Sequence, residues 1–285
     1  MKRTSNIFLS LFLLLLFFQD ASAQQYAVAK IFTPVLNTPD FESVFGGNKG
    51  NRVKLDNKGL IREMEFIAFP NTVFNILEVI PKNGYDMYRV TTDDYQYKGD
   101  FYIDSRFVTL IDTKIQDREQ LRPKNEIILE NLKTMDGYPY MWGGNVADGI
   151  SEMLEYYQPK TNLSENTESL WKLRGVDCSG LIYQATGGTT PRNTSSLITY
   201  GSPVEIQGLS ASEIKSKLRP LDLIVWNGHV IIVLDENTVI ESTPDPGVHK
   251  SDLLSRLQSV MSERTAVNDW ETTSGKRFVI RRWAE

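Results

Sequence analysis

Short apolar runs broken by turn formers fill the first third of the chain. Apolar stretches lie at Tyr26 to Val35, Arg62 to Phe69, Val73 to Val79, Met87 to Val90 and Phe101 to Val108. Between them stand Asn37-Thr38-Pro39, Gly46-Gly47-Asn48, Asn57-Lys58-Gly59 and Pro81-Lys82-Asn83-Gly84. Many short strands joined by Gly, Asn and Pro turns predict a small β-barrel over residues 24–112. The rhythm changes near Asp112. Residues 113–124 are polar and charged, as a linker would be. Ile127, Ile128, Leu132 and Met135 then keep helical spacing until Asp136-Gly137. A second helix is expected over Ile150 to Tyr157, a polar loop over 158–170, and a third helix from Ser179 to Ala185. Strands follow at Leu223 to Trp226, His229 to Leu234 and Thr238 to Glu241. Asn227-Gly228, between two apolar strands, is a strong hairpin signal. Lys250 to Met261 reads as helix and Arg277 to Trp283 as a last strand. Helices followed by an antiparallel sheet predict an α+β fold for residues 125–285.

The start of the chain reads as an address. Lys2 and Arg3 precede an apolar run from Ile7 to Phe18, and Ala21-Ser22-Ala23 supplies small residues for cleavage after Ala23. The run is about 12 residues, whereas a membrane span needs about 20. No Cys follows it directly, so lipid attachment there is excluded. The expectation is an exported protein, periplasmic or extracellular, with no stable membrane anchor.

Composition narrows the chemistry. The 285 residues carry 31 Lys+Arg against 36 Asp+Glu, a net charge of -5, which argues against a broad nucleic-acid surface. With 13 Phe and 12 Tyr the chain can build a core, so disorder is not expected. One Cys and two His exclude a disulfide framework and a Cys/His zinc cluster. The lone thiol, Cys178, therefore has no intramolecular disulfide partner in an oxidising compartment.

Asp177-Cys178-Ser179-Gly180-Leu181 places that thiol where a loop meets a predicted helix. The unpaired N–H groups and dipole of a helix start favour an anion, so a lowered thiol pKa is expected there. Gly228-His229-Val230 sets a His at the start of a strand. If the strands pair across residues 235–237, Glu241 faces the same side and can fix the His229 tautomer. Nucleophile, base and orienter would then stand together. Blander readings exist for each residue. A lone Cys is commonly a small buried apolar residue, a His beside Gly a turn residue, and Glu241 a solvated strand position. Asp177 can serve simply as a helix cap.

Four segments taken in order resemble the NlpC family of cell-wall cysteine peptidases. They are Tyr138-Pro139-Tyr140-Met141-Trp142-Gly143-Gly144, Asp177-Cys178-Ser179-Gly180-Leu181, Pro191-Arg192-Asn193-Thr194-Ser195, and Leu218-Arg219-Pro220-Leu221-Asp222-Leu223 followed by Gly228-His229-Val230. The resemblance implies a papain-like fold from about Asn125 onward, with Cys178 as nucleophile and His229 as base. The size and rhythm of residues 24–112 resemble a bacterial Src-homology-3-like module. The family's third polar residue falls at Glu241, where relatives usually carry His, Asn or Gln. Some members cut between γ-D-glutamate and a diamino acid in murein stem peptides with a free L-Ala amine. Residue by residue, their amine site carries over to Tyr140, Asp177, Ser179 and Thr194. No metal or organic cofactor is implied. Two departures stand out. Residues 146–176 are an insertion, expected as a helical flap at the cleft edge. The family's Pro-Gly-Asp turn reads Pro220-Leu221-Asp222.

The expected partner is thus a peptidoglycan peptide fragment, with no nucleic acid and a monomeric enzyme. Two other classes remain open. One is a non-catalytic wall-binding protein, motivated by the unusual Glu241. The other is a thiol enzyme acting on a different amide or acyl group. His249 and the 250–261 helix carry no assigned role, and solvated surface is expected for them.

Overall fold

A computed structural model describes residues 25–284 except 48, 96, 97 and 273. The expected leader, 1–23, lies outside the described residues. The alternating first third forms β1 (Tyr26–Ala29), β2 (Thr33–Leu36), β3 (Met64–Ala68), β4 (Val73–Pro81), β5 (Asp86–Thr91), β6 (Phe101–Asp104) and β7 (Val108–Ile111). They make one seven-stranded sheet in the order β3-β2-β6-β5-β4-β1-β7. Every neighbouring pair is antiparallel. Two apolar runs are broken where the chain turns. Thr33 Oγ1 donates to the Ile31 carbonyl between β1 and β2. Asp104 caps a short helical turn, Ser105–Phe107, between β6 and β7.

The rest of the chain is helices on a second sheet. The helices of five or more residues are α1 (Asn125–Thr134), α2 (Glu152–Tyr156), α3 (Glu165–Trp171), α4 (Cys178–Ala185), α5 (Ala211–Lys217) and α6 (Leu253–Glu263). The strands are β8 (Ser202–Pro203), β9 (Leu223–Trp226), β10 (His229–Val233), β11 (Thr238–Thr243), β12 (Gly247–Asp252) and β13 (Arg277–Arg282). Their order is β8-β13-β9-β10-β11-β12, these neighbours all antiparallel, and the short segment Thr265–Ala266 pairs parallel with β13. The mixture of helices and antiparallel sheet is the α+β class expected.

Strand pleating decides what each face of this sheet meets. Val230, Ile232 and Ile240 pack in one cluster with Leu181, Ile182 and Ala185 of α4 and with Ile128 and Leu132 of α1. Ile231, Val233 and Val239 pack in another with Leu253, Leu257 and Val260 of α6. The sheet is therefore covered on both sides, and its strands read as nearly continuous apolar runs.

The structure corrects several expectations. Part of the expected loop 158–170 is α3, started by Ser164, whose hydroxyl accepts from Thr167 N–H. Strand β12 was not expected. The insertion 146–176 is not a flap at the cleft edge. Met153, Tyr157 and Trp171 join the core of the first sheet, with Trp171 fully buried. Its indole N–H donates to the Tyr157 carbonyl at 2.9 Å, and the Tyr157 hydroxyl donates to buried Asp104 at 2.5 Å. An apolar face of this size is stable only where another layer covers it. Linker residue Arg118 is likewise held. Its guanidinium donates to Asp94, the Tyr183 hydroxyl and the Gly187 and Gly188 carbonyls.

Candidate active site

The nucleophile motif is shaped by a close approach of backbones. Asp177 N–H donates to the Gly144 carbonyl at 3.0 Å. A Cβ on Gly180 would lie 2.0 Å from that same oxygen, so only glycine lets α4 start here. Asp177 is the N-cap, accepting from Gly180 N–H at 2.6 Å. Cys178 is the first helical residue. Tyr140 runs beside Val176, which brings its ring to the same place.

Asp177 and Ser179 are tied to a buried guanidinium. Arg192 Nη1 and Nη2 donate to the two Asp177 oxygens at 3.0 and 2.8 Å. Nη1 also reaches Ser179 Oγ, Nη2 the Gly144 carbonyl, and Nε the Asn145 side-chain oxygen. Asn145 in turn exchanges hydrogen bonds with both backbone groups of Ile67 on β3. One network thus runs from the first sheet to the start of α4.

The hairpin β9–β10 pairs Trp226 with His229 across Asn227-Gly228. Gly228 takes φ 96°, a left-handed conformation open to glycine. Its N–H donates to Thr194 Oγ1 at 3.0 Å, and its carbonyl faces the Cys178 sulfur at 3.9 Å. The Val230 and Ser179 N–H groups also point at the sulfur. Both chain neighbours of His229 therefore touch it. The imidazole itself pairs with Glu241, Nε2 to Oε2 at 2.6 Å. Among the described contacts no hydrogen bond joins ring and sulfur. His229 and Glu241 lie on the face that α6 covers.

The thiol departs from its expected behaviour. Burial, then the Asp177 carboxylate, push it up to about 12, against the pull of the Val230 N–H, Arg192 and the Ser179 N–H. The helix start is outweighed because the sulfur is only 8% exposed and sits in the apolar cluster beneath the sheet. Burial thus disfavours the thiolate in the resting site. Burial, Asp177 and Cys178 also push the Tyr140 phenol well above its usual range, so it stays a hydroxyl donor.

Glu241 is 1% exposed. Burial pushes its carboxyl up, but bonds from Arg256 and His229 outweigh that and hold it at about 2. Arg256 Nε and Nη2 donate to the two oxygens at 2.6 and 2.9 Å. His249, the register partner of Glu241 on β12, stands 3.9 Å away. His249 and the helix bearing Arg256 are thus not simply solvated surface. Their signal was faint in sequence, because Arg256 lies fifteen positions beyond Glu241 and meets it only once α6 folds back.

A cleft of about 170 Å³ opens at the sulfur. Tyr140, Asp177, Cys178, Ser179 and Thr194 all line it, as do Trp142, Arg192, Asn193 and Gly228. The first sheet adds Met64 and Glu65, and Tyr95 comes from the loop after β5. None of these three was singled out in the sequence. No residue of 146–176 lines the cleft.

No family model and no curated protein matches the chain. Fourteen solved chains do match. One is an NlpC/P60 family protein from Bacillus cereus ATCC 10987, 17% identical over 94% of this chain, with a TM-score of 0.35. The chain spans 66% of that protein's length.

Among the described residues, no group of three or more His, Cys, Asp or Glu is placed to hold a metal ion. No helix among them is long and apolar enough to cross a membrane. Pro220-Leu221-Asp222 makes its turn with Leu221 at φ 71°, where glycine would be unstrained. Leu221 is held by its N–H to Val233 and by Trp283 Nε1 on its carbonyl, and its side chain is buried.

Proposed function

We propose that the chain is an exported cysteine peptidase of the NlpC type, monomeric, with residues 24–112 as a Src-homology-3-like module. Its proposed substrate is a peptidoglycan fragment cut between γ-D-glutamate and the diamino acid. The observation that carries this reading is a cleft-lining thiol at a helix start, against the backbone on either side of an imidazole held by a buried carboxylate. The four ordered sequence segments support it.

In the proposed reaction His229 closes on the sulfur and takes its proton as Cys178 attacks the γ-glutamyl carbonyl. Such contacts often tighten only when substrate binds. The Cys178 N–H and the Tyr140 hydroxyl support the oxyanion. His229 then passes its proton to the leaving amine, and water, activated by the same ring, releases the acyl group. Glu241 orients the ring. The free L-Ala amine is read by Tyr140, Asp177, Ser179 and Thr194. Glu65 adds a second carboxylate to the lining, which suits a cation.

The test is hydrolysis of L-Ala-γ-D-Glu-diamino acid beside its N-acetylated form. Cleavage of the first and strong loss on the second are expected. Equal cleavage of both discards the amine site. The deep burial of the thiol favours one second reading, a wall-binding protein without activity. A thiol-directed probe that labels Cys178 only when His229 is present argues against it.

A further inference from the structure

Glu241 presents a physical problem that the structure answers locally. A carboxylate behind an imidazole fixes the ring, but a bare buried carboxylate also stabilises the ring's protonated form. A ring that holds its proton cannot accept one from a thiol. The groups facing Glu241 are His229 from β10, His249 from β12 and Arg256 from α6. Around the sulfur are Asp177 and Arg192. Arg256 carries a permanent charge.

We propose that Arg256 is a positioning residue: its two-point pairing with Glu241 lets the carboxylate orient His229 while cancelling most of the charge the ring feels. This rests on the reading of Cys178 and His229 as nucleophile and base. The geometry is specific to the task. Arg256 Nη2 and His229 Nε2 share Oε2, at 2.9 and 2.6 Å, while Arg256 Nε occupies Oε1. A second side chain of α6 steadies the guanidinium, since Nη1 lies 3.4 Å from Ser259 Oγ. The arrangement makes Glu241 and Arg256 a unit that works whole or is replaced whole.

The experiment is the pH dependence of Cys178 alkylation by iodoacetamide on the full chain, run beside peptide hydrolysis. In Arg256→Met the uncompensated carboxylate holds the ring's proton, and the acid limb moves up by about one pH unit. That is about tenfold slower labelling at a fixed pH on the limb. In Glu241→Gln the uncompensated guanidinium moves the limb the other way. The double variant, with no charge left behind the ring, returns it close to wild type. It also leaves no unpaired buried charge, so it stays informative if a single variant folds poorly. Arg256→Lys shifts the limb less than Arg256→Met. A merely structural Arg256 would lower stability without moving the limbs in opposite directions. Unmoved limbs, or limbs moving the same way in both single variants, overturn the proposal. Labelling that behaves as expected without peptide hydrolysis would sink the peptidase reading and leave this one standing. Hydrolysis with unmoved limbs does the reverse.

Discussion

Replacing Arg192 with Met should destabilise the protein strongly, because it strands one charge. Arg192 is 4% exposed and bonds Asp177, Ser179, Gly144 and Asn145. Three of these keep another hydrogen bond when it goes. The Gly144 carbonyl still accepts from Asp177 N–H, Asn145 Oδ1 from Ile67 N–H, and the Ser179 hydroxyl still donates to Asp177. Asp177 alone loses a counter-charge in a largely buried site. Breaking a buried pair from one side costs about 3–5 kcal/mol. In a chain of this size that lowers Tm by about 10 °C. Removing both charges, with Arg192→Met and Asp177→Asn together, should recover about half of the loss. Urea or thermal unfolding of the wild type, both single variants and the double variant gives the coupling directly. A cost below about 1 kcal/mol for Arg192→Met would refute the reasoning, since it is what a solvated ion pair contributes.

Three further outcomes follow from the same structure. Gly180→Ala puts a methyl 2.0 Å from a backbone oxygen, so α4 must shift; unfolding should show a loss of about 1–3 kcal/mol or more, and a neutral result would mean the loop gives way freely. Leu221→Gly relieves about 1–2 kcal/mol of left-handed strain but removes a buried side chain worth about 2–5 kcal/mol, so a net loss is expected and a gain in Tm would contradict the packing argument. Glu241 has a folded-state pKa lowered from 4.5 to about 2. It therefore contributes stability that is complete above pH 4.5 and lost as pH falls through about 2, about 3 kcal/mol in all. Acid unfolding of Glu241→Gln should lack that part of the slope, and an identical slope would count against it.

Much of this architecture is legible in the chain because it is written locally. Asn227-Gly228 announces its hairpin, and the paired strands bring His229 and Glu241 to one face, as their spacing implies. The apolar spacing of Ile128 and Leu132 marks α1. What sequence hides is what tertiary packing decides. The helix start at Cys178 suggests an acidic thiol, but residues of β10 help to bury the sulfur, and the Asp177 carboxylate opposes its charge. The polar stretch 158–170 conceals α3 because its apolar partner, the first sheet, ends at Ile111, far upstream of it. Arg256 is one basic residue on an amphipathic helix until α6 folds against β11. Glu65 and Met64 enter the cleft only because Asn145 binds Ile67 and draws β3 alongside.

The most direct test is mass spectrometry of murein stem peptides after incubation with the wild-type protein and with Cys178→Ala. The wild type should release L-Ala-γ-D-Glu, and a folded Cys178→Ala should release none. Intact peptides in both samples, or the same products from the variant, would contradict the peptidase reading.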